Sequence, residues 1–143
     1  PPSSTSPSRP AGKVQHVGLA LDVRGTPVHP LVGWSVDNPK TNITRDVWAT
    51  TGACFTIRRE LFNKTGGFDP VFGRGTFEDC DLCLKVRQLG SRIRVDTNAT
   101  AYHYVGATAE KLRQPFPLQN NLQIFQGRWA QTGLLVYDSW LYF

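Results

Sequence analysis

The sequence predicts an α/β domain. Three observations carry this. Short apolar stretches that suit strands alternate with segments whose apolar residues fall at helical spacing. Gly and Pro cluster at the boundaries between them. The chain has 143 residues, enough for one domain with a modest core.

The opening PPSSTSPSRPAG is Pro/Ser-rich and has no apolar stretch like that of a signal peptide. Residues 1–12 are therefore expected to be a disordered tail or linker, and residues 13–143 the domain. The chain starts at Pro1 rather than Met and is expected to be a piece of something longer. VQHVGLALDV (14–23) alternates enough for a strand, closed by Arg24-Gly25-Thr26-Pro27. Residues 28–44, rich in Pro, Gly and Asn, predict a long loop of the kind that often carries function. DVWAT (46–50) suits a short strand. In the next stretch Phe55, Arg58, Arg59, Leu61 and Phe62 suit a short helix, ended by Gly66-Gly67. Asp69-Pro70 turns the chain. TFEDCDLCLKVRQLG (76–90) then places Leu82, Val86 and Leu89 at i, i+4 and i+7, with Gly90 suited to the position after a helix. SRIRVD (91–96) predicts a basic strand with Ile93 and Val95 on one face, and ATAYHYVG (99–106) a further strand. Residues 107–117 are loop-like. LQNNLQIFQGRWAQ (118–131) has Leu118, Leu122 and Phe125 at helical spacing, with Trp129 following.

Composition narrows the function classes. No run approaches the roughly 18 apolar residues of a membrane span; GLLVYDSWLYF is too short and is interrupted by Asp138. The net charge of +5 favours anionic partners. There is no dense Lys/Arg block with interleaved aromatics, which argues against nucleic acid. Three cysteines do not make a disulfide framework and point to a reducing compartment. The sequons at Asn42, Asn63 and Asn98 pull weakly the other way. A cytoplasmic location, if need be at a membrane surface, is expected.

Glu78, Asp79 and Asp81 crowd the start of the central helix. Thr76-x-x-Asp79 resembles a capping box, and acids in a first turn are favoured by the helix dipole. On this pattern alone a structural role leads. Three acids nevertheless exceed what capping needs. A carboxylate that follows a glycine-bearing loop (Gly73, Gly75) is also placed to face a cleft as a general base. Asp79-Cys80-Asp81 cannot chelate one ion from a helix, because side chains at i and i+2 point about 200° apart. Cys80-x-x-Cys83 has no thioredoxin-like or zinc-ligand surroundings and suits buried, free thiols.

The motifs also come in an order. Gly52-Ala53-Cys54, Arg58-Arg59, Gly66-Gly67-Phe68-Asp69, Glu78-Asp79-Cys80-Asp81-Leu82-Cys83-Leu84-Lys85, Leu89-Gly90 and His103 follow one another. Each is weak alone. Together, over residues 14–129, they resemble the second half of family 2 inverting glycosyltransferases of the GT-A fold, although Lys85 stands where the family often has Arg. The resemblance implies a partial GT-A fold with a mixed sheet and short helices, forming the C-terminal, acceptor-side half of a transferase. It implies Asp79 as the base that deprotonates an acceptor hydroxyl for inverting attack on a nucleotide-sugar, and Glu78 as the group that orients the site. Gly52 and Ala53 would line the sugar pocket, Gly66 and Gly67 would shape the acceptor side, and His103 would be a metal ligand. Asp81 would be structural. The implied cofactor is Mg²⁺ or Mn²⁺, held mostly by a D-x-D in a nucleotide-binding half. No D-x-D of that kind occurs here, as Asp22 and Asp37 stand alone. The implied partners are a nucleotide-sugar donor, a glycan or other hydroxyl acceptor, and the missing half in the same or another chain. The alternative is a non-catalytic glycan-binding or assembly module derived from such an enzyme.

Overall fold

The computed structural model describes residues 12–104 and 115–136. Residues 1–11 of the Pro/Ser-rich opening, 105–114 and 137–143 lie outside the described residues. Within them, strands β1 (Ala20–Leu21) and β2 (Pro27–Val28) form one antiparallel ladder. Strands β3 (Arg45–Val47) and β4 (Ile93–Val95) form a second, with Asp46 opposite Arg94. Helices α1 (Arg59–Thr65), α2 (Glu78–Gln88) and α3 (Leu118–Trp129) complete the order β1-β2-β3-α1-α2-β4-α3. The molecule thus combines helices and strands as expected. The expected mixed sheet is not seen: the named strands among the described residues pair antiparallel in two two-stranded ladders. An isolated antiparallel bridge, Leu19 to Ala49, links the two ladders' segments.

Most strands are shorter than their sequence patterns. Residues 14–23 yield only two strand residues because the chain bends at Gly18, whose φ is +107°. A Cβ there would lie 2.5 Å from Val47 Cγ1, so glycine lets this segment press against β3. Residues 99–104 form no strand and are exposed. Their Tyr-His-Tyr alternation supplies a strand pattern but no partner edge.

Helix α2 is the centre of the core. Cys80, Leu82, Cys83, Leu84 and Val86 are buried, with Leu84 fully so. Leu89, expected on the same stripe, lies beyond the helix end and is 51% exposed. Around α2 pack Leu19, Leu21, Val47, Trp48, Phe72, Ile93, Phe125 and Trp129. Phe77 stacks on Phe125 at 5.6 Å, and Trp48 meets Phe125 edge-on at 6.2 Å. Burial at this density excludes water from the apolar faces and is the main favourable term. The Trp48 indole N–H donates to the Leu134 carbonyl at 3.0 Å, which satisfies its polar atom.

Candidate functional site

Each end of α2 is set by chain geometry rather than by the expected capping box. Thr76 and Phe77 both have left-handed φ, +77° and +67°, and no side chain caps the helix. For non-glycine residues this conformation costs about 1–2 kcal/mol each. The compensation comes from α3. Asn121, 1% exposed, aims its amide Nδ2 at the carbonyls of Phe72 (2.8 Å), Gly75 (2.9 Å) and Thr76 (3.1 Å). One side chain thereby gathers the carbonyls of the turn that launches α2.

The three acids then separate by role. Asp81 is fully buried. It receives Lys85 Nζ at 2.9 Å, Arg128 Nη1 at 2.8 Å and the Trp129 indole N–H at 2.9 Å. Arg128 also reaches Asp69 at 2.9 Å. This is the structural role expected of Asp81. Asp79 points elsewhere, as the i, i+2 geometry requires. It is half-buried. Its Oδ2 accepts the Gly52 N–H at 2.9 Å and its Oδ1 the Cys80 N–H at 2.8 Å. It makes no ion pair among the described residues. Glu78 is half-buried beside it, with Oε2 lacking a hydrogen-bond partner among the described residues. Burial, and then the charge of Asp79, push the Glu78 carboxyl above the usual range; its own N–H and that of Thr76 offset this in part.

The structure adds residues to which the sequence reading gave no role. His16 and His29 meet Nδ1 to Nδ1 at 3.1 Å, edge to face. His16 Nε2 receives the Gly18 N–H (3.2 Å), the Thr51 N–H (3.3 Å) and the Thr50 hydroxyl (3.0 Å). Burial first, and His29 second, hold His16 down at about 4, so the ring is neutral at pH 7. Burial lowers His29 too, and the Asp79 charge pulls it back up. Consecutive peptide N–H groups, Thr51 and Gly52, therefore bind His16 and Asp79 respectively. The available signal was His16-x-Gly18 at the sharp bend, but a histidine in an apolar stretch reads first as a satisfied core residue.

The other expected residues are dispersed. Gly52 holds Asp79, and a Cβ on it would sit 3.5 Å from Asp79 Cβ and 4.0 Å from the Phe55 ring. Ala53 follows in the same exposed loop. Gly66 ends α1 in a left-handed cap, its N–H bonded to Asn63 and Phe62 carbonyls. Gly67 packs under Phe62, and its carbonyl accepts Lys85 Nζ at 3.4 Å. Phe55, Phe62 and Phe68 form an edge-to-face chain at 6.1 and 5.9 Å beside this loop. His103 is exposed, with Nδ1 2.8 Å from Gln15 Oε1. The described residues hold no group of three His, Cys, Asp or Glu side chains placed to bind a metal. Two shallow concavities, one lined by Leu21, Asp22, Val23, Gly25 and Leu135 and one beside α1 at Arg58, Glu60 and Lys64, do not include Asp79. Asp79 opens on a surface loop rather than into either of them.

The cysteines are buried at 80 and 83 and exposed at 54, all free. Burial pushes the Cys83 thiol up to about 12 and raises the Cys80 thiol well above its ordinary range, so neither is a thiolate at neutral pH.

The chain is 30% identical over 103 residues to an uncharacterized protein, y4gI, of Sinorhizobium fredii. It is 32% identical over 104 residues to the O-antigen biosynthesis protein RfbC of Myxococcus xanthus. Each alignment covers 69% of this chain, but 11% and 8% of those proteins. The chain thus spans about a tenth of the length of the curated relatives it matches. No family model and no solved structure matches it.

Proposed function

We propose that the chain is the acceptor-side part of a glycosyltransferase that moves a sugar from a nucleotide-sugar to an acceptor hydroxyl with inversion, Asp79 being the general base. The observation that carries this is the state of Asp79. It sits in the first turn of α2, half-open to solvent, held by two peptide N–H groups and in no ion pair among the described residues. A carboxylate so held is oriented and still has lone pairs free for an incoming hydroxyl proton. Asp81, two residues on, is already consumed by Lys85, Arg128 and Trp129. Similarity to an O-antigen biosynthesis protein supports a role in carbohydrate biosynthesis.

In this reading Glu78, close to Asp79, helps to orient the acceptor. The Phe55 and Phe68 rings offer an apolar surface next to the Gly52-Ala53 loop for the C–H face of a sugar. The partial GT-A fold, and a donor-binding half outside this chain, belong to the same proposal. For the metal, His103 fits as one ligand: with Nδ1 engaged by Gln15, Nε2 is left for coordination. Among the described residues no group of three His, Cys, Asp or Glu side chains gathers to complete the site. A Mg²⁺ or Mn²⁺ ion held mainly by the donor half would neutralise the departing diphosphate.

The test is Asp79→Asn in the full-length parent protein. Asn keeps the shape and can accept the Gly52 N–H. Transfer is expected to fall about 10²–10⁴-fold, with the melting temperature changed by no more than a few degrees. Turnover within a few-fold of the parent, with stability lowered, would assign Asp79 to the helix start alone.

A further inference from the structure

Resting on the assignment of Asp79 as base, we propose that His16 is a positioning residue for it: the His16 ring fixes the loop at residues 50–52, and the next peptide N–H of that loop orients the Asp79 carboxylate. His16 Nε2 lies 3.2 Å from the Gly18 N, 3.3 Å from the Thr51 N and 3.0 Å from the Thr50 hydroxyl. Peptide N–H groups can only donate, so Nε2 is their shared acceptor and the proton of the neutral ring sits on Nδ1. Nδ1 in turn meets His29 Nδ1 at 3.1 Å, which anchors the ring from its other side. The loop is also tied to α2. The Thr50 N–H donates to Cys83 Sγ at 3.4 Å, and that thiol donates to the Thr50 carbonyl at 3.6 Å. Cys83 and Asp79 are four residues apart and so share one face of α2. Thr50 is thus held by the helix and Thr51 by His16, and the following N–H, of Gly52, reaches Asp79 Oδ2 at 2.9 Å. The peptide planes on either side of Thr51 are rigid and meet at its Cα. Only two dihedrals therefore separate the N–H that His16 accepts from the N–H that orients Asp79. Gly52 is exposed and has no side chain, so hydrogen bonds rather than packing set its position.

Two-bond ¹H–¹⁵N NMR of the full, unmutated chain at pH 7.5 should show His16 as the Nδ1–H tautomer. A proton on Nε2 would leave the Thr51 N–H no acceptor there and overturns the proposal. His16→Gln places an amide oxygen near the Nε2 position, whereas His16→Leu offers no acceptor. The Gly52 amide is expected to exchange with solvent at the parent rate in His16→Gln and about tenfold faster in His16→Leu, the value of one lost hydrogen bond. In the full-length parent protein His16→Leu should lower kcat for transfer about 10- to 100-fold with the donor KM little changed, the cost of a misplaced reacting group. His16→Gln should restore kcat to within about threefold of the parent, because the acceptor for the Thr51 N–H is back. In an Asp79→Asn background His16→Leu should cost less than about threefold, because the group it acts through is already gone. An undiminished loss in that background, or equal kcat in the Gln and Leu variants, overturns the positioning role. If Asp79→Asn abolishes transfer while His16→Leu changes neither Gly52 exchange nor kcat, the base assignment stands and the His16 role alone is lost. Intact transfer in Asp79→Asn overturns both.

Discussion

His16 is kept uncharged by the groups around it, and this gives a signed pH dependence. Its folded pKa of about 4 lies below the ordinary 6.5. Stability from the neutral ring is therefore present in full above about pH 6.5, and is lost as the pH falls through 6.5 towards 4. A shift of this size is worth at most about 3 kcal/mol. His29, also lowered, contributes in the same sense. Glu78, raised by burial and by Asp79, acts oppositely: its cost appears as it ionises above the usual carboxylate range. Urea unfolding at pH 7.5, 5.5 and 4.5 should show a falling midpoint across the series, and His16→Asn should flatten the decline. An unchanged midpoint down to pH 4.5 would mean that His16 carries its proton without penalty.

At the scale of elements, α3 fixes where α2 begins. Asn121→Leu keeps the volume but removes the donors that gather the Phe72, Gly75 and Thr76 carbonyls. The expected loss is about 1–3 kcal/mol, together with faster amide exchange at Glu78, Asp79 and Cys80. Exchange unchanged at those three amides would show that the turn holds itself. Local patterns made α2 and α3 legible in the sequence to within a residue or two: the apolar spacing and Gly90 were enough. The free, buried Cys80 and Cys83 were legible from the helical pattern and the lack of partner ligands, while Asp81's structural role was implied only by the family resemblance. What was not legible depends on long-range partners. The capping box is absent because Thr76 is drawn into a left-handed turn by a residue 45 positions away. Of the strand expected at 99–106, the described residues 99–104 have no strand edge to pair with. The His16–His29 pair joins two segments through a β-turn and a sheet ladder, and no local periodicity announces it.

For the whole molecule, one continuous cluster joins both ladders to all three helices, and α2 runs through it. No helix among the described residues is long and apolar enough to cross a membrane. Because the ladders are two or three residues long, they are held by side-chain packing more than by their own hydrogen bonds. Leu84→Ala, at a fully buried site in the middle of that packing, should cost about 2–5 kcal/mol. Thermal unfolding followed by far-UV and by tryptophan signals should shift as one transition, since Trp48 and Trp129 both lie in that cluster. Separate shifts in the two signals would show that the ladders and helices unfold independently.

The buried cluster at Asp81 also acts as an indexing pin. Lys85 grips it from its own helix, while Arg128 and Trp129 grip it from α3. A helix pinned on one side cannot roll about its long axis. Asp79, about 200° round the barrel from Asp81, takes its heading from that pin. With side chains reaching about 5–6 Å from the axis, a roll of about 20° would carry the Asp79 carboxylate about 2 Å sideways. Displacements of that order are enough to cost a reaction a hundredfold. The charge hidden in the core thus sets the compass bearing of the one facing outward.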